Sequence, residues 1–74
     1  MKTKFVKILG IKDMTDFVKA ATAIYGDVIC RKGKYAVDGK SLLGVMSIDL
    51  STGVTVEYPE DAEDFEAFLN TLDN

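Results

Sequence analysis

A chain of 74 residues with a formal net charge of −3 has room for one domain, at a size where folding buries only about 60% of the surface that the unfolded chain exposes. Its 47% hydrophobic content is spread along the chain, which excludes wholesale disorder, and no uncharged apolar run approaches the roughly 20 residues of a membrane-spanning helix. One cysteine and no histidine exclude an intramolecular disulfide, a Cys-rich zinc site and a Cys-His catalytic pair, so Cys30 is expected to be a buried, inert thiol.

The N-terminus, Met1 to Lys7, interleaves lysines with apolar residues. A secretory signal places its charges before a hydrophobic block, so a cytoplasmic location is expected. Lys2 to Ile8 predicts a strand with imperfect alternation. From Met14, the residues Met14, Phe17, Val18, Ala21, Ile24 and Tyr25 follow helical spacing and predict one buried face, with Asp13 or Thr15 capping the first turn and Gly26 ending the helix. Val28 to Lys32 and Lys34 to Asp38 predict a hairpin around Gly33.

Gly39 breaks that pattern, and Ser41 is a natural N-cap for a short helix to about Met46 or Ser47. Val54 to Tyr58 is the cleanest strand, with Val54, Val56 and Tyr58 on one face. Pro59 ends it. Asp61 followed by Asp64 imitates a capping box, and Ala62, Phe65, Phe68, Leu69 and Leu72 form the apolar stripe of a last helix. Tyr25, Tyr35 and Tyr58 are read as packing residues. The order β-α-β-β-α-β-α with short connections predicts an α+β sandwich, helices on one face of an antiparallel sheet.

Charge is unevenly placed. The first 50 residues carry all nine Lys and Arg against five Asp, a balance of +4, whereas the last 24 carry seven acids and no base. Such a separation can orient a partner. The basic residues do not cluster with aromatics as nucleic-acid modules require, so no nucleic acid and no membrane is expected as a partner. No phosphate-cradling glycine loop is present, the acids of the last helix read as a solvated face, and neither a metal nor a cofactor is expected.

The block Lys40-Ser41-Leu42-Leu43-Gly44-Val45-Met46-Ser47, with Gly53 six residues on, resembles the regulatory-serine region of HPr, the small phosphocarrier of the sugar phosphotransferase system. The likeness extends from about Phe5 to Leu72, with Val37 and Phe65 at family core positions. It implies an HPr-like open-faced β-sandwich over residues 1–74, a four-stranded antiparallel sheet in the order 1-4-2-3 covered on one face by three helices.

The resemblance also marks a departure. The family carries its phosphoryl group on a histidine in a Gly-Ile/Leu-His-Ala-Arg-Pro-Ala segment at the start of the first helix, where its arginine helps hold the phosphoryl group. This chain has Gly10-Ile11-Lys12-Asp13-Met14-Thr15-Asp16, which puts Lys12 in the histidine position. Relay needs a nitrogen that is neutral near physiological pH, as imidazole is with its pKa of about 6.5, whereas a lysine amine at about 10.4 is protonated and not nucleophilic. Lys12 therefore reads as a solvated charge in a degenerate site.

Ser41 matches the serine that the family's dedicated kinase phosphorylates, and Lys40 adjoins it. A phosphoserine at a helix N-terminus meets free N–H groups and the positive dipole end. Leu42, Leu43 and Met46 cannot all face the core of so short a helix, and an apolar cluster beside Ser41 resembles the surface by which HPr proteins dock. The expectation is a non-enzymatic regulatory or docking module whose partner is HPr kinase, a phosphotransferase-system protein or a transcriptional regulator. A carrier using another acceptor, or an orphan structural domain, are the alternatives.

Overall fold

The computed structural model describes residues 1–72, so Asp73 and Asn74, the last residues of the expected domain, lie outside the described residues. The elements are β1 (Lys2–Val6), α1 (Gly10–Thr22), β2 (Ile29–Lys32), β3 (Tyr35–Asp38), α2 (Leu42–Met46), β4 (Val54–Tyr58) and α3 (Glu63–Leu72). The four strands form one antiparallel sheet in the order β1-β4-β2-β3, the α+β open-faced sandwich that the sequence predicts.

Register explains which side chains meet. Cys30 pairs Val56 on one side and Val37 on the other, so one row of apolar residues crosses β4, β2 and β3, and Val6 pairs Val54 in the next row on the same face. Val54, Val56 and Tyr58 are buried from β4, as alternation predicts. Phe17 and Ala21 of α1 and Phe65 and Leu69 of α3 cover this face. The Phe65 ring meets Phe17 and Tyr58 edge-on at centroid distances of 5.7 and 5.6 Å, the arrangement that the aromatic quadrupole favours. Val45 of α2, with Ile8, Val28 and Leu50 from the connections, adds to the core. Cys30 is fully buried, and burial pushes its thiol up to about 12, in keeping with inertness.

Several local expectations are corrected. Helix α1 starts at Gly10, and neither proposed cap acts as one: Asp13 Oδ2 reaches back to accept the Leu9 N–H at 3.3 Å, while the Thr15 hydroxyl donates to the Ile11 carbonyl. The helix stops at Thr22, with tight three-residue bonds from Ala23 to Ala20 and from Ile24 to Ala21 unwinding its end. Ile24 still packs against the core from this turn, but Tyr25 is 98% exposed, and Tyr35 is exposed too, so of the three tyrosines only Tyr58 is a core residue. Helix α3 is entered through backbone turns from Pro59 and Asp61, not through an Asp61 side-chain cap.

Two glycines are required by close approach. A Cβ on Gly39 would lie 2.6 Å from Val28 Cγ1, and one on Gly53, whose φ is +118°, would strike the Phe5 ring at 2.0 Å. Gly53 thereby lets the β1 side chain lie across the turn into β4.

Candidate functional site

The turn from β3 into α2 builds the site. Asp38 Oδ1 accepts the Lys40 N–H at 2.9 Å, and the Asp38 carbonyl accepts the Ser41 N–H at 3.1 Å. These bonds turn the chain at Gly39 and leave Ser41 extended, with φ −108° and ψ 115°. Its Oγ then accepts the Gly44 N–H at 3.1 Å, an N-cap as the sequence predicts. At the other end, Ser47 Oγ donates to the Gly44 carbonyl at 2.6 Å and its N–H to the same oxygen.

Helix α2 directs a single side chain, Val45, into the core. Leu42, Leu43 and Met46 are exposed by 42%, 83% and 48%, so the three apolar residues singled out beside Ser41 share the outer surface of a five-residue helix. Helix α1 packs against α2, and Leu9 and Ile11 add two more exposed apolar side chains at the start of α1. Those two carried no signal in the sequence, because they flank Gly10 where strand alternation has ended and helical spacing has not begun, which leaves their exposure to be decided by the tertiary packing.

Lys12 is 87% exposed on α1, and its Nζ binds Asp16 Oδ2 at 2.7 Å, one helical turn on. The hydrogen bond and charge of Asp16, with a smaller effect of Asp13, hold the ammonium above its ordinary value. That is the opposite of what a nucleophilic amine needs.

Lys40, adjacent to Ser41 in sequence, is directed elsewhere. Its Nζ donates to the Ile24 carbonyl at 2.8 Å, bracing the unwound end of α1. Ser41 Oγ is thus held by the Gly44 N–H of α2, and the neighbouring ammonium is engaged at the end of α1. Lys32 braces the connection after α2 in the same manner, donating to the Asp49 carbonyl and to Thr52 Oγ1.

A family model for the PTS HPr component phosphorylation site matches residues 11–74. The fold is similar to that of a phosphocarrier protein HPr from Bacillus anthracis str. Ames, with 25% identity, a TM-score of 0.74 and coverage of 99% of this chain and 96% of that one. It is similar also to HPr-C-His from Thermoanaerobacter tengcongensis, with 25% identity, a TM-score of 0.79 and coverage of 97% and 90%. No curated protein matches the sequence. The breadth of the family match, together with the β1-β4-β2-β3 sheet and its three helices, places this chain in the HPr family of the phosphotransferase system.

Proposed function

We propose that the chain is a regulatory docking module of the phosphotransferase system, acting in the cytoplasm without histidine phosphotransfer and without catalysis of its own. The observation that carries this reading is the composition of the α2 surface: three large apolar side chains, Leu42, Leu43 and Met46, stand outward beside Ser41, and only Val45 serves the core. Exposed apolar clusters on small proteins mark interaction sites. The chain has no imidazole, and the amine in its place is an ion-paired ammonium, which supports recognition over relay.

Ser41 is the point at which such docking is regulated. A phosphoryl group on its Oγ would stay at the α2 N-terminus and add about two negative charges beside the leucines. Lys40 could compensate that charge only by leaving the Ile24 carbonyl. Modification would therefore alter both the docking surface and the brace at the end of α1.

The test is incubation with HPr kinase and ATP, followed by intact-mass and peptide mass spectrometry. A single phosphate on Ser41 that changes the affinity for a phosphotransferase-system protein or a transcriptional regulator supports the reading. An unmodified Ser41, together with no binding through Leu42, Leu43 and Met46, returns the chain to a structural role.

A further inference from the structure

The two edges of the sheet differ. At one edge, β1 carries Lys2 and Lys4 with Lys7 just beyond, and self-pairing of β1 about its middle residue would set Lys4 against Lys4. Such like-charge juxtaposition blunts an edge. At the other edge, β3 reads Tyr35-Ala36-Val37-Asp38, uncharged except at its end.

The phase of β3 follows from its neighbours. The Gly39 N–H donates to the Val28 carbonyl at 2.7 Å, so the odd-numbered residues of this strand turn their amides toward β2. The even-numbered residues, Ala36 and Asp38, turn theirs to the outside, and the Asp38 carbonyl does reach out of the sheet to the Ser41 N–H. The two-residue turn at Gly33 and Lys34, with Gly33 at φ +59°, closes the hairpin in that same phase. The N–H and C=O of Ala36 therefore lie on the open edge, and Ala36 itself is exposed.

The segment from Lys34 to Asp38 is complementary to itself. In an antiparallel pair with a second copy centred on Ala36, the two alanines exchange both backbone bonds, Lys34 stands opposite Asp38 twice, and Tyr35 stands opposite Val37 twice. Within one chain, no carboxylate among the described residues pairs with Lys34, and Asp38 Oδ1 meets a backbone N–H but no ammonium. The Lys34 ammonium lies 5.8 Å from the centroid of the Tyr35 ring, a contact that leaves its charge unneutralised, so both charges can pair with a second copy. Beside this edge runs a groove of about 760 Å³ whose apolar wall is Tyr35, Val37 and Ile48. The 58% exposure of Tyr35 puts its ring where a second copy would cover it.

We propose that β3 is the pairing edge of a reversible two-fold dimer of this chain, centred on Ala36. Four strand residues a side form a contact below the standard interface size, so the dimer is transient and populated at high protein concentration.

The test is sedimentation equilibrium over micromolar to millimolar concentration, paired with concentration-dependent amide spectra. The expected result is a monomer-dimer equilibrium whose shifts centre on Lys34 to Asp38. Ala36→Pro removes the outward N–H while leaving the bonds to β2, and should abolish the dimer. Lys34→Glu and Asp38→Lys, each alone, set like charges opposite each other twice and should raise the Kd roughly tenfold, while an equimolar mixture of the two variants should associate again as a heterodimer. Amide spectra of the dilute variants check that each monomer stays folded. A chain that remains monomeric throughout, a dimer indifferent to Ala36→Pro, or a dimer abolished by Leu43→Glu would overturn the assignment.

Discussion

The Tyr58 hydroxyl donates to Glu66 Oε2 across 2.6 Å, and Lys2 Nζ approaches the same carboxylate at 3.3 Å, so β1, β4 and α3 converge on one side chain. The Tyr58 hydrogen bond, then Lys2, hold Glu66 below its ordinary range. Desolvation, then the bond to Glu66, push Tyr58 up to about 12.

The signs of the two shifts set a pH profile. A carboxylate with a lowered folded pKa binds fewer protons folded than unfolded, so its contribution is present above the unfolded glutamate value and is lost as pH falls through the folded one. A phenol with a raised folded pKa contributes fully below its unfolded value near 10 and loses that contribution as pH rises to about 12. Glu66→Gln should flatten the acid limb of stability, and Tyr58→Phe should flatten the alkaline limb. Denaturant melts across a pH series measure both, and profiles parallel to wild type would contradict the coupling.

Phe65 joins the two halves of the core, touching Phe17 on α1 and Tyr58 on β4. Phe65→Ala should cost about 3–5 kcal/mol, much of the stability of so small a domain. Urea unfolding gives the number, and a loss below about 1 kcal/mol would deny Phe65 this place.

The paired strands and the faces of α1 and α3 were legible because each repeats an apolar position at its own period, as Val54, Val56 and Tyr58 or Phe65 and Leu69 do. Ser41 was legible as a cap because side-chain capping is a local interaction over three residues. The end of α1 was not. Gly26 signals a stop, yet the helix unwinds at Thr22, where Lys40, sixteen residues beyond Ile24, takes the Ile24 carbonyl. Likewise, nothing local tells which of Leu42, Leu43, Val45 and Met46 is buried, since that depends on how α2 lies against α1. Tyr25 continues the helical spacing of α1 but falls beyond its end at Thr22, and Tyr35 stands at the start of an edge strand, where an aromatic side chain is not held against the core.

Ser41 separates capping from charge. Ser41→Ala removes the acceptor of the Gly44 N–H and should lower stability by about 0.5–2 kcal/mol, whereas Ser41→Asp keeps an acceptor there and should stay near wild type. Thermal or urea melts compare them. Equal losses for both variants would mean that the hydroxyl fits this turn in a manner a carboxylate cannot.

Lys12 bears on relay. With no imidazole in the chain and the Lys12 ammonium bound to Asp16, incubation with phosphoenolpyruvate and the first enzyme of the phosphotransferase system should leave the protein's mass unchanged. An acid-labile phosphoryl adduct on Lys12, or on any other residue, would restore the phosphocarrier reading.

Leu43 is the sharpest probe of docking, because it is the most exposed apolar side chain of α2. Replacing a side chain that is 83% exposed removes little buried area, so Leu43→Glu should change stability by no more than about 0.5 kcal/mol. Docking through α2 predicts a different outcome for binding: a charge at the centre of an apolar contact loses its hydration against the partner, and affinity should fall at least about tenfold. Val45→Ala, on the buried side of the same helix, should show the reverse pattern, with stability reduced and affinity for the partner kept wherever the domain remains folded. Calorimetric titration of both variants against HPr kinase distinguishes these outcomes. Equal affinities for wild type and Leu43→Glu would remove α2 from the interface.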